Sequence, residues 1–553
     1  FFPRITPALM ALSSYTIVER QGQYRVEDVV YPGQPPFLSV HVGIPRNLKH
    51  LRMSKGFPLR MEPPHVDFKV VRAMFQAGCG NVARHILKTK SRSWITPERV
   101  FDNVLNFAYP TKPRTNLPQY QQALAELVSE FNMEDKLTAI GYKEASEVIP
   151  QMTSPGLPYI HTHPGMKKGQ VLETEFDSIT HFWDAVGNGD RELPLPDCAA
   201  FARSHIGDAT KNKVRPVWAY PLTAIVGESV YATPIIEALK NQTILRSSAY
   251  GMEMMKGGME WLNNQVNRAR RKSPGCKFLL TDYTSFDSSV PAWVIRDCFA
   301  IIREKFDFGD DRKHHLNVLR KLESYFINTP IRNADGRRIL KNHGIPSGSM
   351  FTNILGTMVN FLISRTICNL KLCDLPIFDV YFGDDGLICV PDAANINLTE
   401  LAEAAESIFG MQINVKKSYW TANVKNIHFL GYFNYHGSPY KPKEELFASM
   451  LYPQTFKKEW SFTMSRGLGC LMAAAGCCRD IYNTVCWIYR GAMNQDGMLD
   501  AALNHLRTNP RAVRHLRQMG IEPIDVNYRL LYSLNYTAPL SDCSKLEKYV
   551  NLV

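Results

Sequence analysis

The sequence has little of what marks zinc-binding, secreted or membrane-spanning proteins. No segment reaches the roughly 18 to 20 apolar residues that cross a bilayer. The apolar stretch LGCLMAAAGCC, at 468–478, is bounded by arginines and is expected to be a buried helix. The 12 cysteines are scattered without metal-site spacing. We therefore expect reduced intracellular thiols and no membrane partner.

Internal repeats, low-complexity linkers and an excess of acidic residues are also missing. Lysine and arginine total 64 against 52 aspartate and glutamate residues, a net charge of +12, and the pI is near 9.0. This balance favours a polyanionic partner but does not separate RNA from DNA. The 553 residues are enough for a multi-subdomain enzyme with a large core. The proline-rich stretch 109–120 is the best candidate for an early connection.

The tetrapeptide Phe-Gly-Asp-Asp occurs twice, at 308–311 and at 382–385. On both sides of the first copy, apolar residues recur at spacings of three and four, which predicts two helices joined by a short connection. Asp310 or Asp311 is a suitable N-cap for the second helix. We therefore expect the first copy to have a structural role.

The second copy lies between two short apolar and β-branched runs, PIFDVYF and GLICVP, which predict a β-hairpin. Adjacent carboxylates about 4 Å apart repel each other by roughly 1 to 4 kcal/mol, depending on the effective dielectric constant. A bound cation is the simplest reason to tolerate such a pair. Aspartate and glycine are also ordinary turn formers, so the hairpin alone leaves both interpretations open.

A third carboxylate comes from the segment CKFLLTDYTSFDSSV. Its apolar run predicts a short buried strand that ends at Asp282, and Asp287 follows five residues later. Adjacent strands lie about 4.8 Å apart, so this strand beside the hairpin would bring Asp282 and Asp384 within reach of shared ions. Metal-assisted phosphoryl transfer needs carboxylates from two such elements.

Between these segments, the stretch SGS at 347–349 predicts a flexible turn that leads into an apolar helix. Thr352, Gly356 and Asn360 fall on one face of that helix. The stripe fits either a core helix with satisfied polar groups or a surface that binds a ribose hydroxyl.

The order of these segments resembles motifs A, B and C of viral RNA-dependent RNA polymerases, most closely those of partitiviruses and next those of picobirnaviruses. The resemblance implies an α+β right-hand fold of fingers, palm and thumb, with an antiparallel palm sheet and mostly helical fingers and thumb. It implies RNA synthesis from NTPs with two Mg²⁺ ions, for which Mn²⁺ could substitute in vitro. Asp282 and Asp384 would bind these ions, with Asp385 assisting. One difference is Gly356, which stands where many positive-strand RNA virus polymerases carry the motif B asparagine.

Other segments extend the resemblance over about half the chain: ATKNKVRPVWAYP resembles motif F, MTSPGLPY motif G, GMQINVKKSYW motif D and HFLGYFNYHGSPY motif E. The expected nucleotide-binding residues are Lys211, Lys213, Arg215, Asp287, Ser347, Gly348, Thr352 and Asn360. Among them, Asp287 and Asn360, with Ser347, are expected to sense the ribose 2′-hydroxyl. The expected template-binding residues are Thr153, Ser154 and Gly156. Lys417, with Lys416 as the competing choice, is expected to protonate the departing pyrophosphate.

The resemblance also implies a division of the chain. Residues 1–130 would bridge fingers and thumb, 131–275 would form fingers, and 276–304 the motif A part of the palm. Residues 305–340 would be a fingers insertion, 341–445 the rest of the palm, and 446–553 the thumb and a C-terminal tail. From its position and mixed polarity alone, we expect the tail after residue 532 to approach the exit channel and gate it. Expected partners are template and product RNA, NTPs and a viral capsid protein, around a monomeric enzyme in the virion interior and, during infection, the host cytoplasm.

Three other classes share some of these features. A reverse transcriptase would have the paired aspartates, but it prefers Tyr-x-Asp-Asp and a bulky residue in place of Asp287. A non-catalytic RNA-packaging protein would explain the basic charge but not the ordered motifs. A metal-dependent nuclease would use three carboxylates but would leave the motif B and motif F resemblances without a reason.

Overall fold

The computed structural model describes residues 17–20, 23–26, 48–61, 63–131, 136–210, 214–241, 247–372, 376–474 and 478–493, with 504, 507–510 and 513. The helices are α1 Phe68–Gln76, α2 Gly80–Thr89, α3 Pro97–Leu105, α4 Pro118–Glu130, α5 Tyr142–Val148, α6 Tyr159–Thr162, α7 Lys168–Gly187, α8 Leu222–Asn241, α9 Met259–Lys272, α10 Phe286–Ser289, α11 Ala292–Glu304, α12 Arg312–Ile327, α13 Thr352–Lys371, α14 Leu398–Phe409, α15 Lys443–Leu451, α16 Trp460–Ala473 and α17 Arg479–Met493.

The strands are β1 Ile17–Arg20, β2 Gln23–Val26, β3 Lys49–Leu51, β4 Lys90–Arg92, β5 Cys198–Ser204, β6 Ile206–Asp208, β7 Val214–Ala219, β8 Lys277–Leu280, β9 Tyr283–Thr284, β10 Pro330–Arg332, β11 Arg338–Leu340, β12 Phe378–Phe382, β13 Asp385–Val390, β14 Gln412–Ile413, β15 Tyr419–Thr421, β16 His428–Phe429, β17 Tyr432–Tyr435 and β18 Ser438–Tyr440. Helices and mainly antiparallel sheets are thus combined in one chain, and the predicted α+β class is confirmed.

The central sheet has the strand order β12-β13-β8-β15, and all of its pairs are antiparallel. Its side chains alternate between two apolar clusters, as the period of two in a strand requires. Leu279 and Ile388 pack in the cluster that contains α13, whereas Phe278 and Leu387 pack in the cluster that contains α9. The sheet is therefore buried on both faces, and polar side chains for chemistry are available mainly at its ends.

A second sheet has the strand order β3-β11-β10-β5-β7. Its strands β5, β7, β10 and β11 come from segments expected to form fingers, and β3 comes from the N-terminal segment expected to bridge fingers and thumb. The hairpin β10–β11 joins this sheet because β10 pairs in parallel with β5. Arg332 and Arg338 of the hairpin both form ion pairs with the buried Asp197. Residues 330–340 are therefore bound to the same body as β5 and β7.

Helices α1 and α2 share an apolar cluster with α15, α16 and α17. The buried Asp67 accepts hydrogen bonds from Thr463 (2.6 Å) and Arg466, so a polar contact also joins this early segment to α16. Strand β4, which follows α2, pairs with β6. The Arg92 guanidinium donates to the carbonyls of Tyr452 and Ser204. Residues 67–92 thus contact both the helices α15, α16 and α17 and the strands near β5. The predicted tail after residue 532 lies outside the described residues.

Helix α8 changes one expectation about hydropathy. Within the described part of the chain, it alone is long and apolar enough to cross a membrane by length and composition, with a mean hydropathy of 1.2. The expectation that no segment qualifies is therefore wrong. The most apolar 18-residue stretch of α8 is 72% buried inside the protein. Buried core helices often have the same length and composition, so α8 is weak support for a membrane span.

Candidate active site

The second Phe-Gly-Asp-Asp copy forms the turn of the β12–β13 hairpin, as predicted. Phe382 pairs with Asp385, so Gly383 and Asp384 are the two loop residues. Gly383 has φ +60°, a conformation that favours glycine. The exposed Asp384 stands at the tip, and Asp385 begins β13.

The first copy connects two helices, as predicted. Gly309–Asp311 form a 3₁₀ turn between α11 and α12. Asp311 occupies the N-cap position of α12, but its side chain makes no capping hydrogen bond. Asp307 instead accepts a hydrogen bond from the Gly309 N–H (3.1 Å). In place of the side-chain cap expected at residue 310 or 311, the chain therefore has an Asx-type turn that begins at Asp307.

Helix α13 packs against the turn of the β12–β13 hairpin and forms hydrogen bonds with it. Thr357 Oγ1 accepts from Gly383 N–H (3.0 Å), and Asn360 Nδ2 donates to the carbonyls of Gly383 (3.1 Å) and Asp385 (3.2 Å). Ser364 Oγ donates to Asn360 Oδ1 (3.1 Å). Asn360 is fully buried and its amide is committed to the turn. The expected contact of Asn360 with ribose remains a prediction, and making that contact would require these hydrogen bonds to break.

Gly356 lets the helix approach the turn this closely. A Cβ atom at this position would lie 3.2 Å from Gly383 Cα. Packing therefore explains why residue 356 is glycine here, where many positive-strand RNA virus polymerases carry asparagine. A larger side chain at residue 356 would push the β12–β13 hairpin away from α13. Asn353, one turn earlier, is exposed, and its Oδ1 lies 3.8 Å from where a Cβ of Gly383 would stand. This polar side chain beside the turn was missed because the predicted stripe began at Thr352.

Asp282 follows β8, beside the hairpin. Leu280 pairs with Leu387, and continuing this antiparallel register by two residues sets Asp282 opposite Asp385. The Asp282 N–H donates to Ser418 Oγ (2.9 Å), and its carbonyl accepts from Asn414 N–H (2.7 Å). The backbone of Asp282 is thus held by residues of the motif D segment itself.

The carboxylates and one arginine act on each other electrostatically. Desolvation and then the charges of Asp384 and Asp282 raise the pKa of Asp385 to about 6. Desolvation and the charge of Asp384 raise the pKa of Asp287 to about 7. Arg215 opposes both increases. Asp287 and Asp385 keep surface open to solvent although protein atoms surround them, as in the wall of a channel. Residues from motifs A, C and F therefore meet in one charged site.

These residues fit a divalent metal by the chemistry of their donors. Carboxylate oxygens are the ligands that Mg²⁺ prefers, and mutual repulsion among them is what a cation would relieve. Among the described residues, no group of three or more His, Cys, Asp or Glu side chains is already arranged around a metal position. Asp282, Asp384 and Asp385 are the side chains that would hold the metal.

Lys417 lies beside this site, with its Nζ 3.9 Å from Asp282 Oδ1. Both side chains are about half exposed, at 60% and 46%, so the ion pair itself contributes little stability. This contact favours Lys417 over Lys416 as the residue near the reaction. The proposed acid role remains a prediction.

The motif B loop, residues 346–351, is anchored to neighbouring elements. Ser347 Oγ accepts from the Trp218 N–H of β7 (3.2 Å), and a Cβ at Gly348 would lie 2.1 Å from the Trp218 carbonyl oxygen. Thr352 Oγ1 donates to the carbonyls of Pro346 (2.6 Å) and Ser349 (2.8 Å). Ser347, Gly348 and Thr352 therefore shape the loop, and their contact with nucleotide remains a prediction.

Arg215 is exposed on β7, whereas Lys211 and Lys213 lie outside the described residues. Directly across the β5–β7 ladder from Arg215 is Arg203, also exposed. Like charges directly opposite each other destabilise a strand pair, so an anion between them would be stabilising. Motif spacing gave no signal for Arg203, which only the strand register brings beside Arg215.

The motif G turn, residues 153–156, has the geometry of a tight backbone loop. Thr153 is exposed, and Ser154 Oγ accepts from the Gly156 N–H (3.3 Å). Gly156 has φ +72°, and a Cβ there would lie 2.7 Å from the Tyr220 carbonyl oxygen. Glycine is therefore required for the turn to pack against the end of β7. Contact of these residues with template remains a prediction.

A model of the family described as viral RNA-dependent RNA polymerase matches residues 77–455. Over 331 residues, the chain is 28% identical to the RNA-directed RNA polymerase of Cryptosporidium parvum virus 1. This match covers 58% of this chain and 59% of the relative. Over 337 residues, it is 26% identical to that of Atkinsonella hypoxylon virus, covering 51% and 48% of the two chains. The matches thus span about half to three fifths of these relatives.

A solved structure described as Sicinivirus 3Dpol RNA dependent RNA polymerase has a TM-score of 0.60 with this chain at 15% identity. The match covers 89% of this chain and 99% of the other, and it concerns the fold. The predicted right-hand polymerase fold and the resemblance to polymerases of partitivirus-like double-stranded RNA viruses are both confirmed. The chain belongs to the viral RNA-dependent RNA polymerase family.

Proposed function

We propose that this protein synthesises RNA from NTPs on an RNA template by two-metal nucleotidyl transfer. The observation that carries the proposal is the meeting of Asp282, Asp384 and Asp385 at one end of the central sheet, where the charge of Arg215 also acts on Asp385. Three carboxylates suit two divalent ions, and an opposing guanidinium suits the phosphates of a nucleotide. Family membership supports the same chemistry.

Each residue has a defined task in this proposal. Asp282 and Asp384 would hold two Mg²⁺ ions, with Asp385 assisting. When bound, the ions would activate a 3′-hydroxyl and neutralise the triphosphate. Arg215 would bind phosphate oxygens, Lys417 would supply a proton to the leaving pyrophosphate, and Asp287 with Ser347 would orient the ribose.

The biological setting follows from the relatives and from charge. A net charge of +12 suits a protein that holds template and product RNA. The named relatives are polymerases of double-stranded RNA viruses. We therefore propose replication and transcription of a segmented double-stranded RNA genome by a monomeric enzyme that contacts capsid protein, inside the virion and in the host cytoplasm during infection.

The two Phe-Gly-Asp-Asp copies supply a matched test. Mg²⁺-dependent incorporation of labelled NTPs on a single-stranded RNA template is measured for wild type, Asp384→Ala and Asp310→Ala. We expect Asp384→Ala to abolish synthesis while RNA binding survives. Asp310→Ala, an equal loss of charge from an exposed helix connection, should retain wild-type synthesis. Continued synthesis by Asp384→Ala would refute the assignment of the site.

The same assay separates the other classes. Equal use of dNTPs and NTPs would indicate a reverse transcriptase. RNA binding without Mg²⁺-dependent synthesis would indicate a packaging protein. Mg²⁺-dependent loss of the template without synthesis would indicate a nuclease.

A further inference from the structure

Glu228 is a carboxylate with no exposed surface, in the middle of the apolar helix α8. Glutamate is almost never fully buried unless it is paired. Its Oε1 accepts from Ser349 Oγ (2.8 Å), and its Oε2 accepts from the Met350 N–H (2.7 Å). Both donors belong to the motif B loop, so this side chain fastens that loop to the body of the fingers.

The contact also orients the start of α13. Ser349 Oγ donates to Glu228 and at the same time accepts from the Phe351 N–H (3.0 Å). A movement of the Glu228 carboxylate would therefore reach the first turn of the helix that supports the catalytic hairpin. Sequence reasoning had one available signal here, a single glutamate inside an otherwise apolar helix.

The buried Lys168 is the cation that acts electrostatically on Glu228. Burial raises the pKa of Glu228 to about 8, and attraction to Lys168 opposes that shift. The side chain of Glu228 is held in place by the two donors of the motif B loop.

Stability alone is a poor reason for a buried carboxylate. Well-packed apolar residues often stabilise a core as well as buried charged groups or better, whereas a buried polar group fixes one arrangement of its partners. The arrangement fixed here is that of the motif B loop against α8.

We propose that Glu228 is a positioning residue that fastens the motif B loop to α8, and so holds the loop in the conformation that selects ribonucleotides. The inference rests on the proposed function, because it assigns this positioning to the same site. It adds that nucleotide selection depends on a residue that touches neither nucleotide nor metal.

The experiment compares Glu228→Gln with Glu237→Gln on the same helix, where Glu237 is exposed and pairs with Lys240. The readout is the ratio of kcat/KM for an NTP to that for the matching 2′-dNTP, on a fixed primer and template. Glutamine keeps one acceptor oxygen, so it cannot accept from Ser349 Oγ and from the Met350 N–H on two separate oxygens. We expect the ratio to fall about tenfold in Glu228→Gln and to stay unchanged in Glu237→Gln.

One more variant tests the contact itself. Ser349→Ala removes one donor while keeping the buried carboxylate, so it replaces Glu228→Gln if that variant does not fold. A purely structural role would lower the thermal midpoint and leave the ratio unchanged.

The outcomes distinguish this inference from the proposed function. A wild-type protein without Mg²⁺-dependent NTP incorporation overturns both. An active wild type, together with folded Glu228→Gln and Ser349→Ala variants that keep the wild-type ratio, overturns the inference alone.

Discussion

Substitution of Asn360 by alanine would remove the side chain that joins α13 to the catalytic hairpin. It would leave the carbonyls of Gly383 and Asp385 without their donor. A neutral hydrogen bond contributes about 1 kcal/mol, and a buried group left unpaired costs about 1 to 3 kcal/mol. If only about 2 kcal/mol of this reaches the transition state, kcat falls about 30-fold.

The measurement is single-nucleotide elongation with NTP and with 2′-dNTP. We expect Asn360→Ala to lower kcat for both substrates by a similar factor, because the position of Asp384 and Asp385 affects both. Asn360→Asp should be worse, since it adds a further negative charge to the site and sets an acceptor against two carbonyls. Asn369→Ala is the matched control: the same substitution on α13, where the amide Nδ2 has no hydrogen-bond partner. A normal rate for Asn360→Ala with loss only of NTP preference would show instead that Asn360 reads the ribose.

Three further outcomes follow from the packing. Gly348→Ala would set a Cβ 2.1 Å from the Trp218 carbonyl oxygen, so we expect at least a tenfold loss of kcat/KM for NTP in elongation assays. Burial and then the charge of Lys341 lower the pKa of His343 to about 4. As the pH falls below 6.5, His343 binds a proton in the unfolded chain but stays neutral in the folded chain, so the free energy of unfolding decreases. This effect should account for about 2 kcal/mol between pH 7 and pH 5 in denaturant titrations. The variant His343→Gln should lose this pH-dependent contribution. Asp67→Ala would leave Arg466 without its carboxylate, so we expect about 3 kcal/mol lower stability and faster proteolysis near α1.

Sequence periodicity and turn chemistry predicted the elements that carry the carboxylates. The apolar run before Asp282 forms β8, and the runs around Asp384 form the predicted hairpin. These predictions succeeded because a strand buried on both faces and a two-residue turn leave strong local signals. The roles of the individual residues in binding and catalysis remain predictions.

Residues that act through tertiary contacts left weak signals or none. Arg203 faces Arg215 only because of the β5–β7 register, and Glu228 reaches the motif B loop across 121 positions of the chain. Helical spacing placed Asn360 on one face of α13 together with Gly356, but it did not indicate what that face contacts. The answer is the hairpin itself, since Gly356 brings the helix within contact of the turn.

The two Phe-Gly-Asp-Asp copies show why a short motif does not define a site. Gly309 has φ +49° and Gly383 φ +60°, so both copies use the glycine in the same left-handed region. The chain then continues as a helix after Asp311 and as a strand after Asp384. Only the strand pairs with β8, and that pairing brings Asp282 to the second copy. The chemistry of the tetrapeptide therefore depends on its neighbours in the sheet, and Asp384→Ala and Asp310→Ala should differ in activity although the local sequence is the same.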